Sequence, residues 1–175
     1  MRRSLTVILL AALVAACDEE SGDNAVEARE QNVVRIDGLA YRVVLFRELN
    51  PRIEPDRSLV EGARPGPDEG LYAAILHVCN EGEVPARPTG DIVLEDAFGQ
   101  VFHPLRPAVD PELTYHPRDL DPDECLPVPG STADTSFDGA AVVYEVPFDA
   151  VQRRPMVLEI RPRGGGEPSR VQLDL

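Results

Sequence analysis

Three segments near the C-terminus alternate apolar and polar residues with a period of two, and this alternation restricts the fold more than any other feature. Val142, Tyr144 and Val146 fall on one side with Glu145 on the other. Met156, Leu158 and Ile160 alternate with Glu159 and Arg161, and Val171, Leu173 and Leu175 with Gln172 and Asp174. Successive side chains of a strand point to opposite faces, so this pattern predicts half-buried antiparallel strands. Upstream, residues 32–37 and 39–47 read as strands parted by Gly38. Residues 71–80 are apolar on both faces, which predicts a central buried strand. Residues 92–95 and 100–103 flank Asp96-Ala97-Phe98-Gly99, a hairpin signal with glycine where a positive φ is useful. Two proline-rich stretches, 50–70 and 104–138, interrupt the strands and predict irregular structure. One helical turn fits 148–154, and no amphipathic helix stands out. The count, seven or eight strands, predicts an all-β antiparallel sandwich. Loops so long are uncommon in a compact domain, so they predict functional surfaces or covers over sheet edges.

The N-terminus predicts where the chain works. Arg2 and Arg3 precede an apolar run over 5–16, too short to cross a hydrocarbon layer that needs about 20 helical residues. Its form is that of a secretory signal. The ending Leu13-Val14-Ala15-Ala16-Cys17 resembles the bacterial lipobox, in which the cysteine is lipidated and becomes the first mature residue. Two acyl chains suffice for stable anchoring. The expected organisation is a signal peptide (1–16), an acidic flexible tether (17–31) and a sandwich domain (32–175). The expected location is the extracytoplasmic face of the cell membrane, periplasmic or at the cell surface. Asp18 resembles an inner-membrane retention signal in bacteria with two membranes.

Net charge of −14 and the absence of lysine argue against nucleic acid as a partner, because phosphate binding needs clustered cations that release counterions. The same acidity keeps the body of the protein off anionic lipid. Two cysteines remain beside Cys17. In an exported protein such a pair, Cys79 and Cys125, usually forms a disulfide; two unrelated free thiols is the competing reading. A bridge would close a separation of 46 residues, worth at most about 4 kcal/mol on the chain-entropy account. Which face Cys79 occupies stays open, since its strand is apolar on both sides.

Candidate chemistry is sparse. Asp119, Asp121 and Asp123 alternate in an acidic run ending at Glu124, as carboxylates do in the first half of a calcium loop. Pro122 sits where backbone freedom is wanted, Glu124 replaces the turn glycine, and Gly130 falls where a bidentate acid belongs, so this is no EF-hand. A looser calcium or small-ligand site there is the alternative function. His77, His103 and His116 show none of the spacings that orient two imidazoles on one metal. Ser58, Ser131 and Ser136 lie outside any nucleophile elbow, and Gly164-Gly165-Gly166 reads as a turn. Nothing implies a cofactor or a catalytic residue, and the expectation is a protein that is not an enzyme.

Four motifs follow one another: Asn-x-Gly at 80–82, Leu-x-Asp-x-x-Gly at 94–99, Leu-x-x-Pro-Gly-Ser at 126–131 and Val-x-Tyr-Glu-Val-Pro at 142–147. Their order and spacing resemble the DUF4352-type immunoglobulin-like domains of many bacterial lipoproteins, related in fold to a mycobacterial secreted immunogenic antigen. The resemblance covers about 39–175; the insert at 50–70 and the cysteine pair depart from it. It implies an immunoglobulin-like sandwich of seven to eight strands outside the cytoplasm, and no agreed activity or catalytic residues. The resulting expectation is a membrane-anchored, non-catalytic binding or structural module of the cell envelope. Its partner would be the membrane through the anchor, with an envelope protein or glycan as a further one.

Overall fold

The computed structural model describes residues 27–105 and 112–175. Among these, ten strands and three short helices follow one another. They are β1 (Glu27–Arg29), β2 (Val33–Ile36), β3 (Leu39–Glu48), α1 (Asp56–Val60), β4 (Glu69–Asn80), β5 (Ile92–Glu95) and β6 (Val101–Phe102). After them come β7 (Cys125–Leu126), α2 (Thr132–Phe137), β8 (Ala140–Pro147), α3 (Phe148–Val151), β9 (Met156–Ile160) and β10 (Ser169–Leu173). One sheet has the order β1-β10-β9-β5-β6. The other runs β2-β3-β4, with β8 and then β7 lying one after the other along the remaining side of β4. All pairings are antiparallel except β1 with β10. This is the expected all-β sandwich.

The strands expected from alternation are present, and two were missed. β7 is a two-residue strand inside the second proline-rich stretch. β1 lies within the stretch expected as a tether. An isolated three-residue strand has no intrinsic stability; pairing with β10 and the burial of Ala28 hold it in place. The expected signal segment, Cys17 and the expected tether up to residue 26 lie outside the described residues.

The core between the sheets follows the alternation. Met156, Leu158 and Ile160 from β9 and Val171 and Leu173 from β10 meet Tyr72, Ala74, Leu76 and Val78 from β4 and Tyr144 and Val146 from β8. In β3 the register shifts between Val43 and Leu45. That bulge inserts one residue, so Tyr41, Val43 and Phe46 all reach the core although their spacing breaks period two. Buried tyrosines satisfy their hydroxyls on the connector before β5: Thr89 N–H donates to Tyr41 Oη at 2.9 Å, and Tyr144 O–H donates to the Ile92 carbonyl at 3.1 Å.

A second apolar cluster explains why β4 is apolar on both faces. On the outer side of the second sheet, Leu71, Ala73 and Ile75 of β4 pack with Val44, Ala141 and Val143 under Leu49, Leu59, Val60, Leu113 and Phe137. The last four belong to the two proline-rich stretches, and Leu49 directly precedes the first. These stretches are therefore covers over a sheet face. They also carry short regular elements that prolines and glycines obscured in the sequence, namely α1, α2 and β7. Arg47 links both covers, donating to the buried Asp56 Oδ2 of α1 at 2.6 Å while its guanidinium lies 5.9 Å from the ring centre of Phe137 in α2.

Candidate binding surface

The second sheet has its outer side covered, whereas among the described residues no apolar cluster packs on the outer face of the first sheet. Alternation places Glu95 of β5, Val157 and Glu159 of β9, and Arg170 and Gln172 of β10 outward, with Arg161 directly after β9. Register puts Glu159 opposite Arg170 on one side and Val93 on the other, and Val157 opposite Gln172 and Glu95. Glu159 is the buried centre of this charged ladder. It accepts from Arg161 at 3.0 Å and from Arg170, which also reaches Glu95 at 3.2 Å. Burial opposes the charge on Glu159, yet hydrogen bonding and the charges of Arg170 and Arg161 hold its carboxyl below the usual range. Arg161 also stands 3.7 Å from Asp91, so three carboxylates share two arginines and the ladder is mixed in charge.

Beside the ladder lies a groove of about 460 Å³ lined by Arg29, Glu95, Asp96, Pro155, Arg170 and Gln172, among others. Its floor is set by the β5–β6 hairpin. Asp96 Oδ1 accepts from the N–H groups of Phe98 and Gln100, both at 2.9 Å, and Gly99 supplies the positive φ of 82°. Asp96 Oδ2 lies 3.1 Å from Arg153 Nε, within charge attraction but not aligned as a hydrogen bond. Arg153 in turn stands 5.6 Å from the centre of the exposed Phe98 ring. Polar, mixed in charge and open to solvent, the groove suits contact with another polar surface.

The candidates read from the sequence fare unequally. Asp119, Asp121 and Asp123 are all exposed and do not converge as ligands. Asp119 faces Arg87 at 3.5 Å, Glu124 pairs with Arg118 at 2.7 Å and accepts from Asp121 N–H, and Asp123 adopts φ 63° in the turn. Among the described residues the three carboxylates are not gathered at ligand distance, and ion pairs to Arg87 and Arg118 and the turn at Asp123 shape the loop. His116 Nε2 lies 2.7 Å from Thr114 Oγ1, and His103 is exposed at the end of β6. Cys79 and Cys125 are joined as a disulfide across directly paired positions of β4 and β7, with a Cα–Cα distance of 4.1 Å. It lies on the outer face of the second sheet, because Asn80 and Val78 take the alternate, inward positions. His77 shares that outer face, two residues from Cys79. The signal that finds this pair is His-x-Cys on a strand, which period two places on one side; helical and zinc-finger spacings miss it.

The four motifs also receive physical roles. Asn80, buried, accepts Gly82 N–H at 2.9 Å and donates to the Val84 and Leu120 carbonyls, each at 2.9 Å, pinning the second cover to the end of β4. Asp96 and Gly99 shape the hairpin. Gly130 adopts φ 78° and Ser131 Oγ caps α2 by accepting from Asp134 N–H. Tyr144 anchors the β5 connector. All of them build turns, caps and cores.

No family model matches the chain, and no curated protein matches it in sequence. Solved structures do. The yjhA protein from Bacillus subtilis is similar over 84% of this chain and 99% of its own, at 13% identity and a TM-score of 0.58. A protein described as a "putative lipoprotein" (ycdA), from Bacillus subtilis subsp. subtilis strain 168, is similar over 83% of this chain at 14% identity and a TM-score of 0.50; the match spans 38% of that protein. An uncharacterized β-sandwich protein from Clostridium difficile 630 matches over 89% of this chain at 9% identity and a TM-score of 0.49. At 13–14% identity, the likeness to yjhA and ycdA shows a shared fold.

Proposed function

We propose that this protein is a lipid-anchored, extracytoplasmic lipoprotein of the DUF4352 type, whose sandwich acts without catalysis as a binding or structural module of the cell envelope. The observation that carries the reading is the lipobox-like run ending at Cys17, followed so soon by an ordered domain. Only nine residues separate Cys17 from Glu27, a covalent reach of at most about 35 Å. A sandwich on so short a leash works close to the bilayer. The Cys79–Cys125 disulfide suits an oxidising compartment, and the fold shared with ycdA supports the same class. With the long stretches packed down as covers, the groove beside the Glu159 ladder is the contact surface, and an envelope protein of mixed surface charge is the partner that matches it.

The test is metabolic labelling with radioactive palmitate in the native host, followed by membrane fractionation of wild type and Cys17→Ser. Labelled wild type in the membrane pellet, with unlabelled Cys17→Ser protein, is the expected result. Unlabelled wild type recovered in the soluble fraction overturns the anchor and the reading built on it.

A further inference from the structure

The disulfide and His77 form the one group among the described residues in which three metal-ligating atoms gather: His77, Cys79 and Cys125 place a ring nitrogen and two sulfurs within 4.8 Å of one another. We propose that, once the disulfide is reduced, this group is a binding site for a thiophilic d10 cation, Zn(II) or Cu(I), held by two thiolates and one imidazole.

The geometry is already close to what a metal needs. His77 Nδ1 lies 3.6 Å from Cys79 Sγ. A tetrahedral zinc with Zn–S of about 2.3 Å and Zn–N of about 2.0–2.1 Å separates a sulfur from a nitrogen by about 3.6 Å. Two thiolates on the same ion stand about 3.8 Å apart, a spacing that cross-strand cysteines reach by small side-chain rotations once the covalent bond is gone. The scaffold keeps its place without that bond. β4 is paired along most of its length to β3 and β8, and Asn80 holds the start of β7: its N–H donates to the Glu124 carbonyl at 2.9 Å, and its own carbonyl accepts Asp123 N–H at 3.0 Å. His77 and both cysteines are half-buried, accessible to a reductant but sheltered from bulk water. Two soft sulfurs and a nitrogen select zinc or cuprous ion over calcium and magnesium, and three protein ligands leave a fourth position open.

The switch balances as follows. A dithiol reductant of the envelope attacks one sulfur as its thiolate and forms a mixed disulfide. Its second thiolate then releases the protein, so the reductant leaves as a disulfide and two thiols remain on Cys79 and Cys125. Metal binding forms two metal–sulfur bonds and one metal–nitrogen bond, and both thiol protons go to solvent. Exchange with the disulfide form of the same reductant runs these steps in reverse: it is reduced to its dithiol, Cys79 and Cys125 rejoin as a disulfide, and the ion is expelled. The site therefore exists only under reducing conditions.

The test uses the protein with Cys17→Ser, which removes the third thiol, reduced with a phosphine, desalted anaerobically and titrated with Co(II) and then Zn(II). The expected result is one equivalent of cobalt, with thiolate charge-transfer and tetrahedral d–d bands displaced by zinc, and no such bands in the oxidised protein. His77→Ala weakens zinc binding at least tenfold, and Cys125→Ser abolishes the charge-transfer bands. Circular dichroism of the reduced, metal-free protein accompanies the titration. Absence of bands overturns the proposal, as does unchanged zinc affinity in His77→Ala. Loss of the sheet signature on reduction overturns it as well, because the strands must hold the ligands.

Discussion

Truncating Leu59 to alanine tests whether the proline-rich covers are part of the folded unit. Leu59 is 1% exposed, carried by the five-residue α1 onto the outer face of the second sheet beside Ile75 and Val44. Removing three buried carbons costs about 2.4 kcal/mol in transfer free energy at roughly 0.8 kcal/mol per methylene. Partial collapse of the space left behind brings the total to about 3 kcal/mol, within the range for buried leucines. Alanine is a slightly better helix former, which offsets a few tenths at most. The assay is urea unfolding followed by tyrosine fluorescence and far-ultraviolet circular dichroism. With a slope near 2 kcal/mol/M, the midpoint falls by about 1.5 M while the slope stays constant. Val84→Ala, at a site 68% exposed, serves as a control and shifts the midpoint by less than about 0.25 M, as surface changes do. If the cover opened on its own before the sandwich unfolds, the global midpoint of Leu59→Ala would match wild type. That result refutes the claim that the second core is cooperative with the first.

Three further outcomes follow from the same packing. Asp56 keeps its charge despite burial, because hydrogen bonds from Arg47 and Asn50 N–H and the charge of Arg47 depress its pKa. A depressed pKa stabilises the fold above the unfolded-state value near 3.9 and loses that contribution as pH falls through the folded value. Asp56→Asn is therefore less stable at pH 7 by about 1–3 kcal/mol, and the gap narrows in acid; a gap constant from neutral pH to pH 2 refutes the assignment. Gly139 lies where β8 approaches β4, and a Cβ there would stand 2.6 Å from Ile75 Cγ2 and 2.9 Å from the Leu76 carbonyl oxygen. Because the backbone of a central strand cannot yield, Gly139→Ala lowers stability by about 1–3 kcal/mol, and wild-type denaturation would contradict the close approach. Cys79→Ala with Cys125→Ala loses up to about 4 kcal/mol in thermal and urea unfolding without changing the sheet signature; equal stability would show that the 46-residue separation is held closed by other contacts already in the unfolded chain.

The motifs that resemble a lipoprotein family explain why they point to a fold and to no reaction. Asn80 and Gly82 make a turn and tie down a cover, Asp96 and Gly99 make a hairpin, and Ser131 caps a helix. Each is required by backbone geometry that many unrelated activities can share.

Alternation determined β8 to β10, and apolar runs with the turn residues between them determined β2 to β6 and the two-layer class, because partition of a side chain between core and water is a local property. Cysteine count and the N-terminal run set the expectation of a paired Cys79 and Cys125. Tertiary structure alone decided what covers β4. Its second apolar face signalled burial, but no local pattern says that the partners, Leu59, Leu113 and Phe137, come from two proline-rich stretches far apart in the chain. Position across strands decided the rest. The groove beside Glu159 draws on β1, β5, β9 and β10, and the neighbourhood of His77 on β4 and β7. Such sites arise from strand register, which depends on the whole fold closing around its core and not on any stretch of sequence that contributes to it.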